Sequence, residues 1–323
     1  MFAVYAEKPD PQDPLAALIA GERPEPVTKD GWVRVRVSHA SLNRHDVFTL
    51  MGRSARSSGI PFPITIGCDG AGYLDDGTAV ALYPVINAPG WRGDETLDPD
   101  HHILSEQVDG TFADYVAVPA RNAVPLPPGL DAVHAAVLGT AWLTAYRILF
   151  GRIAARPGET VLVQGASGGM ATALIQLGAA AGVEIWVTSR TAAGRSLAER
   201  LGARRVFNSG EKLPRAVDAV IDNVGQATWA HSLQSVRSGG TIGIVGATSG
   251  TNPAADLSRL FVQQIRLIGS VMGSLAEMRA LMQLVASRGI VPQIAATLPM
   301  EQARDGVAAM MANSLQGKLV FTR

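Results

Sequence analysis

The sequence predicts an α/β protein in which a doubly wound parallel sheet is joined to a second, mainly-β domain. Three observations support this fold class. Residues 160–190 have the pattern strand, glycine-rich turn, helix, strand. From there to residue 287, apolar strands alternate with helical segments. Before residue 125 the chain has short strands and frequent glycines, which is typical of a small antiparallel barrel.

Composition limits the classes of function. A chain of 323 residues has enough material for two domains with separate cores. The formal net charge is zero, so nothing indicates a nucleic acid, an anionic membrane or an acidic partner. The single cysteine, Cys68, excludes an intramolecular disulfide and an all-cysteine zinc site. Residues 1–8 do not resemble a signal peptide and no apolar stretch has transmembrane length, so we expect a soluble cytoplasmic protein.

The segment 160–190 predicts a dinucleotide-binding βαβ unit. A β-branched strand at 160–164 leads into the turn, and a helix at 170–181 ends at Gly182 before a second strand at 183–188. Bare backbone N–H groups and the positive end of the following helix can bind a pyrophosphate there. The pattern G-x-G-x-x-G/A over 166–171 lacks its first glycine, although Gly165 precedes it. The predicted cofactor-binding residues of the turn are Gly165, Ala166, Ser167, Gly168, Gly169 and Met170.

The end of the second strand indicates which cofactor is bound. An NAD site places Asp or Glu about 20 residues past the glycines, to bind the ribose 2′-hydroxyl. This chain has Thr188, Ser189 and Arg190 there, and a hydroxyl with a guanidinium suits a 2′-phosphate instead. Arg195 follows one helical turn later. Arg190 is alternatively an ordinary solvated loop residue, but the missing carboxylate favours NADP(H).

The remaining elements follow from apolar periodicity and turn residues. In the first half we predict strands at 31–37, 64–72, 78–83 and 111–118, helices at 47–51 and 132–150, a loop at 52–63 and a surface lobe at 87–107. In the second half we predict strands at 205–208, 217–222, 241–246 and 265–271, and helices at 226–236 (capped by Gly239-Gly240), 255–264 and 275–287. From about residue 292 we predict a strand, a helix at 301–311 and a last strand at 319–322.

Seven short motifs occur in a fixed order along the chain. They are residues 41–46, 66–72, 110–116, 143–146, the turn beginning at Gly165, 222–225 and 317–320. Together they resemble the medium-chain dehydrogenase/reductase superfamily over essentially the whole chain, and within it the zinc-free, quinone-oxidoreductase-like branch. The resemblance implies a GroES-like catalytic domain at 1–127 and 293–323, to which the tail returns, and a Rossmann domain at 128–292. It also implies a homodimer, for which the strand at 265–271 is a candidate edge.

The resemblance also bears on metal binding. Zinc-dependent relatives hold the catalytic metal with Cys, His and Cys, and the matching positions here are Asn43, Cys68 and Thr140. An amide, a thiol and a hydroxyl make a poor zinc site. The lobe that holds structural zinc in those relatives has no cysteine here, and His101-His102 are interpreted as solvated lobe residues. We therefore predict no metal at either position.

Catalytic candidates follow from the same resemblance. Asn43 is expected near the nicotinamide ribose or the carbonyl, and Thr144 near the nicotinamide. His45 falls where metal-dependent relatives have a proton-relaying hydroxyl. The alternatives are a turn-stabilising asparagine, a hydroxyl bonded to its own helix and a surface histidine. Residues at strand ends are expected to line the nicotinamide half of the cofactor site: Asn223, Val224, Val245, Gly246, Ala247 and Thr248.

Without a metal, a carbonyl is polarised only by hydrogen bonds, which favours acceptors already activated towards hydride. The leading hypothesis is therefore an NADPH-dependent reductase of a quinone or an α,β-unsaturated carbonyl compound. One rival is an alcohol dehydrogenase that recruits zinc through Cys68 and His45. The other is a non-catalytic NADPH-binding protein, either a redox sensor or a structural protein.

Overall fold

The structure is a computed structural model that describes residues 1–53 and 59–323, so part of the predicted loop 52–63 lies outside the described residues. Two compact units are present, one formed by 1–141 with 273–323 and the other by 142–272. The domain boundaries that the resemblance implies, at 127/128 and 292/293, stay predictions. In the structure the segments 128–141 and 273–292 group with the first unit. One reason is that the backbone N–H of Leu275 donates to Glu95 Oε2.

The first unit begins with short strands and helices. Up to residue 135 these are β1 Phe2–Ala6, α1 Pro14–Ala17, β2 Ile19–Glu22, β3 Trp32–Ser41, α2 Arg44–Leu50, β4 Ile64–Thr65, β5 Asp69–Tyr73, β6 Ala79–Leu82, β7 Val85–Ile86, β8 His102–Ile103, β9 Tyr115–Pro119, β10 Ala123–Pro125 and α3 Ala132–Ala135. In β3 the apolar Val35 and Val37 are buried while Arg36 is exposed, as the predicted alternation requires. The antiparallel character predicted for this unit is confirmed by the pairing of β3 with β5, and of β5 with β6.

The second unit contains a six-stranded parallel sheet with helices between its strands. Its elements are α4 Leu143–Tyr146, β11 Thr160–Gln164, α5 Gly169–Ala180, β12 Glu184–Ser189, α6 Ala192–Arg200, β13 Arg205–Asn208, β14 Val217–Asp222, α7 Trp229–Ser235, β15 Val236–Ile244, α8 Leu257–Val262 and β16 Arg266–Gly269. The strand order β13-β12-β11-β14-β15-β16 reverses direction at β11, which confirms the doubly wound prediction. Strand β11 is buried along its whole length. Strand β16 is an edge, and the predicted homodimer stays a prediction.

Three predicted elements were wrong in detail. The strand expected at 64–72 is divided into β4, which pairs with β1, and β5, which pairs with β3 in another sheet. The helix expected at 132–150 is divided into α3 and α4 by π-helical turns at Leu138–Trp142 and Arg147–Arg152. The glycine pair 239–240 does not cap a helix but lies inside β15, which begins at Val236. Gly239 has φ +71°, and a Cβ on Gly240 would lie 2.8 Å from the Asp218 carbonyl oxygen, so both positions require glycine within an irregular strand.

The last part of the chain lies in the first unit. Helix α9 Leu275–Arg288 precedes the tail, which contains β17 Ile294–Pro299, α10 Ala303–Met311 and β18 Lys318–Thr322. Strand β18 pairs antiparallel with β3, where Val320 lies opposite Ser41. This pairing places Lys318, at the start of β18, beside the end of β3. Among the described helices, none combines the length and the apolar character needed to cross a bilayer.

Candidate functional site

The three positions that match the metal ligands of zinc-dependent relatives meet in the first unit. The amide nitrogen of Asn43 lies 3.4 Å from Cys68 Sγ, and the same sulfur lies 3.4 Å from Thr140 Oγ1. Asn43 is the N-cap residue of α2, and Thr140 lies in the π-helical turn Leu138–Trp142. Such turns often occur at functional sites because they displace side chains that a regular helix would place elsewhere.

A buried ion pair lies at the centre of this cluster, between Asp69 at the start of β5 and Lys318 at the start of β18. The two side chains are 0% and 3% exposed, and Lys318 Nζ lies 3.2 Å from Asp69 Oδ2. The ammonium also donates to the Leu42 carbonyl at 2.9 Å and to Asn43 Oδ1 at 2.6 Å, so each of its three protons has an acceptor.

Asp69 links the remaining members of the cluster. Its Oδ1 accepts the Thr140 hydroxyl proton at 2.5 Å, and its Oδ2 accepts from the Asn43 amide at 2.8 Å and the Ser41 hydroxyl at 3.2 Å. Sequence reasoning assigned no role to Asp69 or Lys318, although each is a charged residue inside an apolar strand. That pattern is the signal that identifies buried, paired charges.

The residues of the cluster do not fit a zinc ion. Burial, together with the Asp46 and Asp69 carboxylates, raises the pKa of the Cys68 thiol, which disfavours the thiolate form. Zinc sites are built from several thiolate, imidazole or carboxylate ligands, and the three matching positions offer only this one thiol. The Asn43 amide oxygen already accepts from Lys318. A second group, His45, Asp46 and Cys68, offers donor atoms within 4.8 Å of one another. Within this group, Asp46 Oδ2 accepts the Asn43 N–H and His45 Nε2 contacts Glu106 Oε1.

Asp46 has a raised pKa, and its ionisation therefore opposes folding at neutral pH. It lies in the first turn of α2, where its Oδ2 accepts the Asn43 N–H at 2.7 Å. Its Oδ1 is buried without a hydrogen-bond partner among the described residues. Burial, opposed in part by His45 and the Asn43 N–H, raises the pKa of Asp46 from 3.8 to about 6.

We expect the Asp46→Asn variant to gain stability over the wild type as pH rises through this window. Below pH 3.8 both folded and unfolded chains hold the proton, and above pH 6 both have lost it. Between pH 3.8 and about 6, the folded wild-type chain binds more protons than the unfolded chain. The free energy of unfolding of the wild type therefore falls as pH rises, by roughly 3 kcal/mol in total. Urea unfolding of both proteins between pH 4 and pH 7 measures the difference. The exposed control Asp305→Asn should show no such trend, and a pH-independent difference for Asp46→Asn would contradict the assignment.

In the second unit, the predicted cofactor-binding residues gather at the carboxyl edge of the parallel sheet. Gly165 follows β11 with φ +91°, and a methyl group built on it would lie 3.7 Å from Asn223 Oδ1 and 3.9 Å from Val224 Cγ2. The loop after β15 joins the loop after β14, since the Ser249 hydroxyl and N–H both donate to the Val224 carbonyl. Val245, Gly246, Ala247 and Thr248 lie in this joined loop.

A buried network fixes this edge of the sheet. Gln164, at the end of β11, accepts the Thr188 hydroxyl proton at 2.7 Å and donates to Ser232 Oγ at 3.0 Å. The Ser232 hydroxyl donates to Asp222 Oδ2 at 2.7 Å, and Asp222 Oδ1 accepts the N–H groups of Val224 and Gly225. These polar side chains connect the carboxyl ends of β11, β12 and β14. Ligands of doubly wound sheets bind at this edge, so the network fixes the strand ends that would surround a ligand.

The predicted adenosine end of the site also assembles around the end of β12. Ser189 is buried at the end of this strand, and Arg195 of α6 donates to its carbonyl oxygen at 3.2 Å. Arg190 is exposed and forms no ion pair with the residues that the structure describes. One carboxylate, Glu211, lies near Arg195, but it accepts both the backbone and the side-chain N–H of Asn208 at 2.8 Å.

A substitution at Gly168 tests whether the turn 165–170 binds the cofactor pyrophosphate. Gly168 has φ −74° and ψ 161°, which any residue adopts, and a Cβ there would lie more than 4 Å from every described atom outside its chain neighbours. We expect Gly168→Val to fold normally and to bind NADPH at least roughly 100-fold more weakly, because the added methyl groups fill the approach to the helix N-terminus. Gly269→Val, at an equally open position in β16, is the matched control. Unchanged affinity in Gly168→Val, measured by calorimetry, would place the pyrophosphate elsewhere.

The two remaining catalytic candidates, Thr144 and His45, lie in different units. Thr144 is buried in α4 of the second unit. His45 lies in the first turn of α2 with Nε2 3.1 Å from Glu106 Oε1, a partner that no sequence signal indicated.

In the lobe 87–107, Asp98 is buried and accepts the N–H groups of Ala88 and Asp100 at 2.8 Å, so a carboxylate holds the loop together.

Comparison with known proteins agrees with this architecture. Residues 29–128 match the alcohol dehydrogenase GroES-like domain, and residues 169–287 match the family described as zinc-binding dehydrogenase. Quinone oxidoreductase of Rattus norvegicus is 27% identical over 312 residues, covering 92% of this chain and 90% of that protein. The enzyme of Homo sapiens is 28% identical over 232 residues, 69% of this chain and 66% of that protein. A crystal structure of an NAD-dependent alcohol dehydrogenase has a TM-score of 0.92 at 27% identity, over 100% of both chains.

A GroES-like unit and a doubly wound nucleotide-binding unit with this crevice define a pyridine-nucleotide-dependent oxidoreductase. The chain belongs to the medium-chain dehydrogenase/reductase superfamily. Its similarity to the quinone oxidoreductases is consistent with the quinone-oxidoreductase-like branch, as the sequence motifs predicted.

Proposed function

We propose that the chain is an NADPH-dependent reductase of quinones or α,β-unsaturated carbonyl compounds that works without a metal. The observation that supports this most is the cluster around Lys318 and Asp69. An amide, a neutral thiol and a hydroxyl surround a complete ion pair where zinc-dependent relatives bind their metal. Without a Lewis acid, transition-state charge is stabilised only by hydrogen bonds, so the substrates are acceptors that are already activated.

The proposed cofactor contacts are distributed along the carboxyl edge of the second unit. The turn 165–170 and the N-terminus of α5 bind the pyrophosphate, and Ser189, Arg190 and Arg195 bind the 2′-phosphate. The loops at 223–224 and 245–248 enclose the nicotinamide half. The open space over Gly168 supports this fit, since among the described residues no atom beyond the glycine's own chain neighbours lies within 4 Å of a Cβ built there. When bound, NADPH supplies the hydride.

Residues of the first unit have orienting and proton-transfer roles in this proposal. The side-chain amide of Asn43 donates to Asp69 through its nitrogen and accepts from Lys318 through its oxygen. We therefore propose that Asn43 holds these two residues in place beside the reaction site. His45, whose ring lies against the Glu106 carboxylate, is the proposed source of the proton that follows hydride transfer. Contact between Thr144 and the nicotinamide, implied by the resemblance, stays a prediction.

A steady-state screen tests the function. NADPH oxidation is measured against a quinone, an enone and a simple saturated ketone, and each assay is repeated with NADH. We expect turnover with the first two acceptors, little with the ketone, and a preference for NADPH. NADPH binding without turnover on any of these would favour a non-catalytic sensor or structural protein instead.

A further inference from the structure

Two helices of the second unit pack against strand β12 through a glycine. In α5, Gly178 is buried, and a Cβ built on it would lie 2.4 Å from Ile185 Cγ1, near the amino end of the strand. In the first turn of α6, Gly194 is also buried, and a Cβ built on it would lie 2.5 Å from Ser189 Oγ, at the carboxyl end. Both contacts are too short for any residue with a side chain, so close approach requires glycine at both positions.

The two glycine contacts differ in their chemistry. Ile185 is a buried core residue, so its contact with Gly178 is apolar packing between a helix and a sheet. Ser189 instead presents a hydroxyl to Gly194, and little apolar surface is buried in return. Because glycine is less favourable than alanine in a helix, packing alone does not account for Gly194. The residue that needs the space is Ser189, which lies at the proposed 2′-phosphate site.

Three hydrogen bonds close the first turn of α6 onto the end of β12, around Gly194. The Thr191 N–H donates to Ser189 Oγ at 3.3 Å, and the Gly194 N–H donates to Thr191 Oγ1 at 3.1 Å. The next residue, Arg195, donates through Nη1 to the Ser189 carbonyl at 3.2 Å. The Ser189 hydroxyl and the Arg195 guanidinium are therefore held in a fixed relation to each other by a turn that has no side chain at its centre.

We propose that Gly194 is a positioning residue for cofactor choice, which keeps Ser189 and Arg195 where the 2′-phosphate of NADPH binds. This inference rests on the proposed function, which assigns both side chains to that phosphate. An alanine at position 194 would force the Ser189 hydroxyl to rotate or α6 to move away from β12, and either change separates the two groups. NADH has a hydroxyl in place of the phosphate, so its binding does not depend on their relative position.

The test measures the Kd of NADPH and of NADH by calorimetry in the wild type, in Gly194→Ala, in Ser189→Ala and in the double variant. We expect Gly194→Ala to weaken NADPH binding about 10-fold and NADH binding by less than about twofold. Without the Ser189 hydroxyl, the nearest atoms to the new methyl group are Thr191 Oγ1 at 3.1 Å and the Cβ of residue 189 at 3.5 Å. The double variant should therefore bind NADPH within about twofold of Ser189→Ala alone.

The control is Gly178→Ala, which creates an equally close contact with the same strand at its other end. It should lower the midpoint of urea unfolding and leave the ratio of the NADPH and NADH dissociation constants unaltered. A ratio in Gly194→Ala equal to that of the wild type, or losses that multiply in the double variant, would overturn the positioning role. A wild type that binds NADPH no more tightly than NADH would instead refute the proposed cofactor, so the two failures are distinguishable.

Discussion

Replacing Lys318 with methionine is expected to destabilise the folded chain by about 3–5 kcal/mol, because the substitution leaves the Asp69 carboxylate buried without its cation. Lys318 is 3% exposed and donates to three oxygens, so the substitution removes a donor from all three acceptors at once. Urea unfolding monitored by tryptophan fluorescence measures the loss. The exposed lysine at position 212 provides the matched control, Lys212→Met, which should change stability by less than about 0.5 kcal/mol.

A double-mutant cycle makes this test more specific. Asp69→Asn removes the opposite charge, and the double variant Asp69→Asn with Lys318→Met should be less destabilised than the sum of the two single changes. Additive losses would mean that the two side chains do not act as a pair. A Lys318→Met variant as stable as the wild type would show that the cluster does not stabilise the fold.

The second large effect concerns cofactor choice. Arg190→Glu should weaken NADPH binding by about 100-fold, because the charge-assisted contact that we propose with the 2′-phosphate would be replaced by repulsion. NADH, which has a hydroxyl there, should bind nearly as before. Calorimetric titration of the variant with each cofactor measures the two affinities.

Arg204→Glu is the matched control for this change. It makes the same charge reversal just before β13, at the amino edge of the sheet rather than the carboxyl edge where Arg190 lies. Its effect on NADPH should be small and equal to its effect on NADH. If Arg190→Glu weakens both cofactors equally, Arg190 does not contact the 2′-phosphate.

Much of the fold was predictable because its signals are local. Strand β11, the turn at Gly165 and helix α5 follow from a β-branched run, a cluster of small residues and a helix stop at Gly182, which has φ +74°. The π-helical turns on either side of α4 were not predictable, since an alanine-rich segment has the same apolar periodicity in a regular helix. The strand predicted at 241–246 corresponds to β15, but its early start at Val236 was not predicted, because paired glycines such as Gly239-Gly240 also end helices.

The candidate site likewise contains some residues that local sequence indicates and others that it does not. Residues next to one another in sequence, such as the turn 165–170 and the end of β12, could be proposed as cofactor-binding residues from spacing, and the structure brings them to one edge of the sheet. The ion pair of Asp69 with Lys318 joins residues 249 positions apart, and the contact of His45 with Glu106 joins residues 61 apart. Such pairs depend on strand pairing and loop conformation, which no local pattern specifies. The placement of Asn43 beside Cys68 and Thr140 followed only from the family resemblance.

Zinc content measured together with turnover tests the metal-free mechanism most directly. The purified protein is assayed for zinc by elemental analysis, then for NADPH-dependent reduction of an enone before and after dialysis against a chelator. We expect far less than one zinc per chain and no change in kcat after dialysis. Near-stoichiometric zinc, with activity that is lost to the chelator and restored by added zinc, would contradict the metal-free assignment of the Lys318 cluster.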